Sequence, residues 1–362
     1  MAHFNHLALL GPALVLAFLV TQLLVGWLRA RHTRVGAAAG VGALASPQQV
    51  GPYTLTTKIG AGAMGEVYRA WNAALGDWRA VKLLPRHASL RDRERFEKEA
   101  RLGAGLHHPN TVSIYERGES RDGTCYYAME LVEGLNLNQL VEREGPQPPE
   151  RAVSILLQLC AALEETHAKG LVHRDIKPDN VLVTGDQLET AKLIDFGLVE
   201  QLGAVAEDQP EGALIGTPLY ISPEAIVAPK TVGPRSDLYG LGAVAYFLLR
   251  GEPVFRGRNV IEVCSHHLHT APESLTAALG DAIPTELERL VLDCLAKDPD
   301  ARPASATEVK RRLAACFDAA PADTAAGGTP LRLARFCAQR RFDRLDAVLS
   351  SAGPTRECRI AA

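Results

Sequence analysis

The chain has 362 residues and a formal net charge of −3, from 39 lysines and arginines against 42 aspartates and glutamates. Its 47% hydrophobic and 22% charged residues are average for globular proteins, which excludes wholesale disorder. The near-neutral charge lacks the basic excess typical of nucleic-acid-binding proteins, so no nucleic-acid partner is expected. The seven scattered cysteines include no C-x-x-C pair, which favours a reducing compartment over a disulfide framework or structural zinc.

The first predicted element is an apolar helix over residues 7–28, a stretch of 22 residues without a charge. At 1.5 Å per residue this helix would extend ~33 Å, enough to cross a bilayer core. Arg29, Arg31 and Arg34 follow it, so the positive-inside rule places the rest of the chain in the cytoplasm. The expected location is therefore the cell's inner membrane, crossed once, with residues 7–28 as the membrane contact.

A cleaved signal peptide is the alternative interpretation of this segment. Residues 43–45 resemble a cleavage site, but no lysine or arginine precedes the apolar stretch. Residues 29–52 are predicted to be a juxtamembrane linker. Its part from Gly36 to Pro52 is rich in alanine and glycine and uncharged, which is typical of a flexible tether.

A glycine-rich motif, G-x-G-x-x-G-x-V, opens the next part of the chain with Gly60, Gly62, Gly65 and Val67. The motif alone also fits a dinucleotide-binding turn. The residues that follow alternate in a β-prone pattern, which favours a strand–turn–strand hairpin over the helix that a dinucleotide fold requires. Glycines in such a hairpin let backbone N–H groups lie close over phosphates.

Lys82 lies inside the short apolar strand 79–84, and Glu99 lies on the charged helix predicted for residues 89–106. An ion pair between the two would fix the ammonium where it could meet phosphates. Taken by themselves, the two residues fit a solvated surface pair better than a buried ion pair.

Asp175, Lys177 and Asn180 occur within six residues, between two apolar runs, and Asp195 follows a third apolar run. Phosphoryl transfer uses a carboxylate near the acceptor hydroxyl, a cation near the phosphoryl group and oxygen ligands for a metal. A carboxylate at a strand end, before the turn at Gly197, suits a Mg²⁺ ligand. These residue types in this order predict a phosphoryl-transfer site.

The ordered set of G-x-G-x-x-G-x-V, A-V-K, H-R-D-x-x-x-x-N and D-F-G resembles the protein-kinase signature. The chain resembles a eukaryotic-like serine/threonine protein kinase of the kind also found in bacteria. Three further segments support this resemblance: Gly216–Glu224, Ser236–Gly242 and Asp298–Pro303. The resemblance covers about Tyr53 to Phe317.

The resemblance implies an α+β, bilobal kinase fold preceded by one transmembrane helix. The kinase domain would span 53–317, with a β-rich N-lobe over about 53–130 and a helical C-lobe over about 133–317. A linker over 318–329 and a basic amphipathic helix over 330–350 are predicted to follow. That helix is expected to pack on the kinase or a partner rather than on an anionic membrane surface.

The family's site residues transfer position by position. The glycines would cover the phosphates, Lys82 paired with Glu99 would hold the α- and β-phosphates, and Met129 would be the gatekeeper. The other implied roles are catalytic base for Asp175, γ-phosphate contact for Lys177, metal ligation for Asn180 and Asp195, adenine contact through the backbones of Glu130 and Val132, and apolar contact with the nucleotide for Ile59, Val67, Ala80 and Leu182. Plain core packing would equally explain the apolar residues.

The implied activity is transfer of the ATP γ-phosphate, with Mg²⁺ or Mn²⁺, to serine or threonine of cytoplasmic proteins and of the kinase itself. Lys177 and Thr217 have the spacing of serine/threonine rather than tyrosine kinases. A pseudokinase scaffold and a small-molecule phosphotransferase are the alternatives, and a homodimer is compatible with the sequence. The resemblance also implies a buried Glu224–Arg302 salt bridge and bracing of the catalytic loop by Asp237.

Three features depart from the resemblance or add to it. Gly103 and Gly105 predict a loosely held end of the Glu99 helix, because each costs about 1 kcal/mol of helix propensity relative to alanine. Residues 198–216 contain no serine, threonine or tyrosine, so activation without loop phosphorylation is expected, with loop acids (Glu207, Asp208, Glu211) as partners of Arg174. Three histidines, His266, His267 and His269, are expected at the surface or partly buried rather than on a metal.

Overall fold

The computed structural model describes residues 42–62, 65–185, 189–197, 199–201, 218–279 and 283–317. The predicted membrane helix 7–28, the C-terminal linker and the amphipathic helix lie outside these residues. The loop acids and Thr217 lie outside them as well. A search of the described helices finds none with the length and apolarity that a bilayer span requires.

The N-terminal half of the domain is a six-stranded antiparallel sheet in the order β1-β2-β3-β4-β6-β5. Its strands are β1 (Gly42–Val50), β2 (Tyr53–Gly62), β3 (Gly65–Asn72), β4 (Asp77–Leu83), β5 (Ile114–Glu119) and β6 (Cys125–Met129). Alternate side chains form a core that includes Tyr53, Leu55, Val81 and Ala128. The alternation that predicted a strand–turn–strand hairpin around the glycines is therefore confirmed.

The first strand occupies residues for which a flexible linker was expected. β1 pairs with β2 through Val50↔Tyr53, Gln49↔Thr54 and Gln48↔Leu55, and Val50 is buried in the sheet core. The linker predicted up to Pro52 thus gives way to a paired strand from Gly42 onward. An edge strand is stabilised by hydrogen bonds to its neighbour, which an Ala- and Gly-rich composition does not reveal.

One helix, α1 (Leu90–Gly103), packs on the sheet. It begins at a capping box, in which the Ser89 hydroxyl accepts a hydrogen bond from the Asp92 backbone N–H and the Asp92 carboxylate accepts one from the Ser89 N–H. Phe96, Glu99, Ala100 and Gly103 form its buried side. Helical spacing therefore turns Glu99 towards the sheet.

The C-terminal half is helical and surrounds two largely buried helices, α3 and α5. Its elements are β7 (Leu135–Asn136), α2 (Leu137–Glu144), α3 (Pro149–Ala168), β8 (Leu171–Val172), β9 (Val181–Thr184), β10 (Thr190–Leu193), β11 (Glu200–Gln201), α4 (Pro223–Val227), α5 (Pro234–Arg250), α6 (Val260–His269), α7 (Leu275–Leu279), α8 (Thr285–Cys294) and α9 (Ala306–Ala315). Short 3-10 turns are Pro178–Asn180, Pro218–Tyr220, Pro229–Thr231 and Pro299–Ala301. The predicted bilobal, α+β kinase fold is confirmed for the described residues.

The lobes meet along a seam where the functional segments converge. The segment after α1 bonds to β10: Val112 N–H donates to Leu193 O at 3.0 Å, and Leu193 N–H donates to Asn110 O at 2.8 Å. A buried apolar cluster lies at this seam, formed by Leu106, Val112, Leu171, Phe196 and Val199. The loop after β8, the loop after β10 and the end of α1 are thereby brought to one edge.

Candidate active site

Lys82 lies on the face of the sheet that meets Glu99 of α1 and Asp195 of the other lobe; the space between the lobes at this point is called the cleft below. In register it stands opposite Val67 on β3 and opposite Tyr127 on β6. Its Nζ is 2.7 Å from Glu99 Oε1 and 3.5 Å from Asp195 Oδ1. The ion pair predicted between Lys82 and Glu99 is present, and it is buried rather than solvated.

Burial and charge act against each other in this ion pair. Burial opposes the charge of Lys82, but the carboxylates of Asp195 and Glu99 outweigh it and raise the pKa of the ammonium above its ordinary value. Burial raises the pKa of the Glu99 carboxyl, although Lys82 pulls it down. The site therefore holds a firmly protonated lysine at the inner end of the cleft.

The segment after β8 gathers three polar side chains. Lys177 Nζ lies 2.6 Å from Asp175 Oδ2, and Asn180 Nδ2 donates to both Asp175 O and Asp175 Oδ2 at 2.9 Å. Asp237 on α5 braces the loop from below, because it accepts hydrogen bonds from the backbone N–H groups of His173 at 2.9 Å and Arg174 at 2.8 Å. The bracing expected of Asp237 is confirmed.

Asn180 and Asp195 are held side by side as candidate metal ligands. The Ile194 N–H donates to Asn180 O at 2.9 Å, which links the two segments. Asp195 has a positive φ of 63° and accepts a hydrogen bond from Gly197 N–H at 3.2 Å. Packing around Asp195 opposes its charge, but Lys82 and this N–H hold the pKa of its carboxyl below the ordinary value.

This donor set fits a magnesium ion. Within the described ranges no cluster of three or more His, Cys, Asp or Glu residues could hold a metal. Mg²⁺ is typically held by one or two carboxylates together with phosphates and water, rather than by an all-protein cage. The Asn180 NH₂ group donates to Asp175, so its amide oxygen would be the atom available to a metal, together with the carboxylate of Asp195.

Two of the other predicted nucleotide residues, Val67 and Ala80, lie on the same face of the sheet as Lys82. Ala80 stands opposite Met129 across β4 and β6, and Val67 stands opposite Gly60 of β2. Leu182 lies on β9, in the three-stranded sheet of the other lobe. Ile59 is 38% exposed beside the glycines. Gly65 has φ +134°, and a Cβ there would lie 2.1 Å from Leu83 O, so this turn admits only glycine.

The segment joining the lobes has free and engaged backbone groups. The Glu130 N–H donates to Ser113 O at 2.9 Å, so this donor is not available to a ligand. Neither backbone group of Val132 is bonded to another residue in the described part of the chain. The Glu130 side chain pairs with Lys192 of β10 at 2.8 Å, a contact that sequence reasoning missed because Lys192 reads as an ordinary strand lysine.

The predicted loose end of α1 is wrong for the residues described. Gly103 is buried, and a Cβ at Gly103 would lie 2.5 Å from Ile114 Cδ1 and 3.6 Å from Phe196 Cδ2. Ile114, on the neighbouring strand β5, fills the space that a larger residue would have occupied. The helix end is therefore closely packed despite its low propensity.

Of the three histidines, His266 is half-buried and His269 is exposed, as expected, and only His267 differs from expectation. His267 is fully buried on α6, where its Nδ1 is 2.7 Å from the hydroxyl of Tyr239 and its ring stacks edge-on against Phe255. Burial, assisted by Lys297, lowers the pKa of His267 to about 4. This histidine is a neutral core residue.

Comparison with known proteins places these motifs in one family. The protein kinase domain model matches residues 53–313. Serine/threonine-protein kinase pkn3 of Myxococcus xanthus is 37% identical over 273 residues, which are 73% of this chain and 49% of that protein. Serine/threonine-protein kinase pkn2 of the same organism is 40% identical over 77% of this chain and 34% of its own length.

A third relative, serine/threonine-protein kinase PknB of Mycolicibacterium smegmatis, is 37% identical over 75% of this chain and 44% of that protein. The chain thus aligns with less than half the length of each of these three relatives. The family model nevertheless covers the whole cleft, from the glycine-rich strands to α9. The chain belongs to the protein kinase family.

Proposed function

We propose that this chain is a serine/threonine protein kinase that transfers the γ-phosphate of ATP to protein hydroxyls. The observation that carries the proposal is that two sets of charged and polar side chains lie in one cleft. Lys82 with Glu99 and Asp195 lies on one side, and Asp175 with Lys177 and Asn180 lies on the other. The serine/threonine-protein kinase relatives support the same acceptor class.

Each group has a role in this proposed reaction. Asp175 would orient the acceptor hydroxyl and take its proton, while Lys177, 2.6 Å from that carboxylate, would stabilise charge on the migrating phosphoryl group. Lys82 would hold the α- and β-phosphates under the glycine hairpin. A bound Mg²⁺, held by Asn180 and Asp195, supplies charge neutralisation for the phosphates.

Adenine would lie between Val67 and Ala80 above and Leu182 below, with Met129 behind it. The carbonyl of Glu130 and the backbone of Val132 would recognise its edge, since the Glu130 N–H already donates to Ser113 O. Ile59 would cover the outer side.

The test is phosphate transfer from ATP by the purified full-length chain to generic protein and small-molecule acceptors. The wild type should label serine or threonine, and Lys82→Met, Asp175→Asn and Asp195→Asn should each reduce transfer by orders of magnitude while leaving the fold intact. A pseudokinase would bind ATP without transfer, and a small-molecule phosphotransferase would label only the small acceptors. Near-normal turnover by Asp175→Asn would remove that residue from the mechanism.

The same proposal includes a membrane anchor over residues 7–28 and a cytoplasmic kinase domain. Its support is the uncharged stretch of 22 residues followed by Arg29, Arg31 and Arg34. Protease added to intact cells should leave the kinase domain uncut, and the chain should fractionate with membranes. A mature N-terminus after Ala45 would show a cleaved signal peptide instead.

Activation without phosphorylation of the loop is proposed as well. Residues 198–216 carry no hydroxyl side chain but do carry Glu207, Asp208 and Glu211. A carboxylate has about half the charge of a phosphate, so it would be a weaker but permanent partner for a basic residue such as Arg174. Phosphatase-treated enzyme should keep its initial rate. Silencing by dephosphorylation at Thr217 would contradict this.

A further inference from the structure

Tyr127 lies beside the Lys82–Glu99 pair and contacts both of its members. It stands opposite Lys82 in the β4–β6 register, so the two side chains share the cleft-facing side of the sheet. Its hydroxyl donates a hydrogen bond of 2.6 Å to Glu99 Oε1, the same oxygen that Lys82 Nζ contacts at 2.7 Å. The Lys82 ammonium lies 5.6 Å from the centre of the Tyr127 ring.

The same ring also contacts the helix that carries Glu99. The centres of the Tyr127 and Phe96 rings are 5.0 Å apart, and both residues belong to the buried cluster between α1 and the sheet. Tyr127 is 2% exposed, so these contacts are made away from water. One side chain therefore joins β6, β4 and α1 at the position of the ion pair.

The hydrogen bond to Glu99 answers a specific need. Glu99 is buried, and its second oxygen, Oε2, accepts no hydrogen bond from the described part of the chain. A buried carboxylate with unfilled hydrogen-bonding capacity is costly, so each bond that it does accept matters. Glu99 Oε1 has two partners, Lys82 and Tyr127. Lys82 is shared with Asp195, whereas the Tyr127 hydroxyl donates to Glu99.

Tyr127 remains a donor under all ordinary conditions. Burial and the adjacent Glu99 carboxylate raise the pKa of its hydroxyl well above 10. A permanent donor at this point fixes where Glu99 Oε1 lies, and through helix α1 it fixes how that helix sits on the sheet.

We propose that Tyr127 is a positioning residue, which holds Glu99, and with it α1, where Lys82 can reach the phosphates of ATP. Tyr127 touches neither substrate nor the reacting atoms, so it acts only through Glu99 and Lys82. This role rests on the proposed kinase function. In this role, a residue of strand β6 helps to hold α1 in the position at which Glu99 pairs with Lys82.

The test is Tyr127→Phe in the full-length chain, a change that removes one oxygen and keeps the ring packed on Phe96. We expect kcat/KM for ATP to fall about tenfold, because a hydrogen bond to a charged group is lost. The KM for the protein or peptide acceptor should stay within twofold of wild type, because that site lies elsewhere. A purely structural role would instead lower the active fraction and leave both KM values unchanged.

Tyr126→Phe is the matched control, since Tyr126 is the adjacent residue on β6 and packs into the opposite sheet core against Tyr53. It should leave kcat/KM for ATP unchanged. A second control uses Glu99→Ala, in which the hydroxyl has lost its partner. There Tyr127→Phe should have no further effect on the dissociation constant of ATP with Mg²⁺, measured by calorimetry, which remains readable if transfer is slow.

Three results would overturn the proposal: a Tyr127→Phe enzyme within twofold of wild type, an equal loss in Tyr126→Phe, or an undiminished effect of Tyr127→Phe in the Glu99→Ala background. Failure of the kinase proposal itself looks different. The wild type would then transfer no phosphate to protein, while its ATP dissociation constant would still report on Tyr127.

Discussion

Arg302 anchors the larger lobe, and its environment allows the cost of replacing it to be worked out. Its guanidinium has five N–H donors, and the structure provides five acceptors. Nη1 and Nη2 pair with the two oxygens of Glu224 at 2.7 and 2.8 Å, in a bidentate, buried ion pair. The remaining donors meet the backbone carbonyls of Ala296, Arg235 and Lys297 at 2.8, 2.9 and 3.1 Å.

Replacing Arg302 by methionine keeps much of the volume but leaves Glu224 as a buried charge without its cation. Loss of one partner of a buried ion pair costs about 3–5 kcal/mol. For a domain of this size, 1 kcal/mol corresponds to about 2–4 °C in Tm, so we expect Tm to fall by about 6–20 °C. Arg302→Lys should recover only part of this, because three donors cannot meet five acceptors.

Thermal unfolding of the purified full-length chain, followed by circular dichroism, measures this. The matched control is Arg289→Met, because Arg289 is 69% exposed and lies 4.0 Å from Glu286. Surface pairs of this kind contribute about 0–1 kcal/mol, so the control should shift Tm by no more than a few degrees. If Arg302→Met and Arg289→Met lowered Tm equally, the argument from burial and filled donors would be wrong.

Three further predictions follow from single sites. The pKa of His267 is about 4 in the folded protein, against an ordinary value of 6.5. Its contribution to stability is therefore complete above pH 6.5 and is lost as the pH falls towards 4, by up to about 3 kcal/mol. In His267→Gln the free energy of unfolding should depend less on pH within that window. Burial raises the pKa of the Glu224 carboxyl, but its bonds to Arg302 and Ser236 outweigh burial and lower it. The free energy of unfolding should therefore fall further below about pH 4.5, and Glu224→Gln should not show this additional loss. Gly65→Ala should raise the KM for ATP and lower Tm, because the new Cβ would lie 2.1 Å from Leu83 O. In the control Gly62→Ala the new Cβ meets nothing within 4 Å, so Tm should stay at the wild-type value. Equal effects of the two changes would show that the requirement for glycine at position 65 comes neither from the clash nor from its positive φ.

The parts of the site that the sequence could predict are those built from short ordered motifs. Asp175, Lys177 and Asn180 lie within six residues, so their convergence needs only one loop, and the structure brings them within hydrogen-bonding distance. Glu224 and Arg302 are 78 residues apart, and their pairing was expected only through the family resemblance. Composition and periodicity alone would have left those two residues as isolated surface charges.

What the sequence could not show depends on which strands become neighbours. β1 was missed because an edge strand needs only a partner's backbone, and its Ala- and Gly-rich start carries no alternating pattern. Lys192 and Glu130 meet because β10 lies under the segment that joins the lobes. His267 was misjudged because one face of α6 packs on α5, a fact of tertiary packing rather than of local sequence.

Contacts from the sheet stabilise helix α1, whose end has a low helix propensity. Gly103 weakens the helix end by about 1 kcal/mol in propensity, yet it makes room for Ile114 of β5 to pack against the helix. Tyr127 of the adjacent strand β6 donates a hydrogen bond to Glu99, which lies four residues before Gly103 on the buried side of the same helix. Both contacts come from the sheet, so side chains of β5 and β6 hold the helix in place. That arrangement ties the position of Glu99 to β5 and β6.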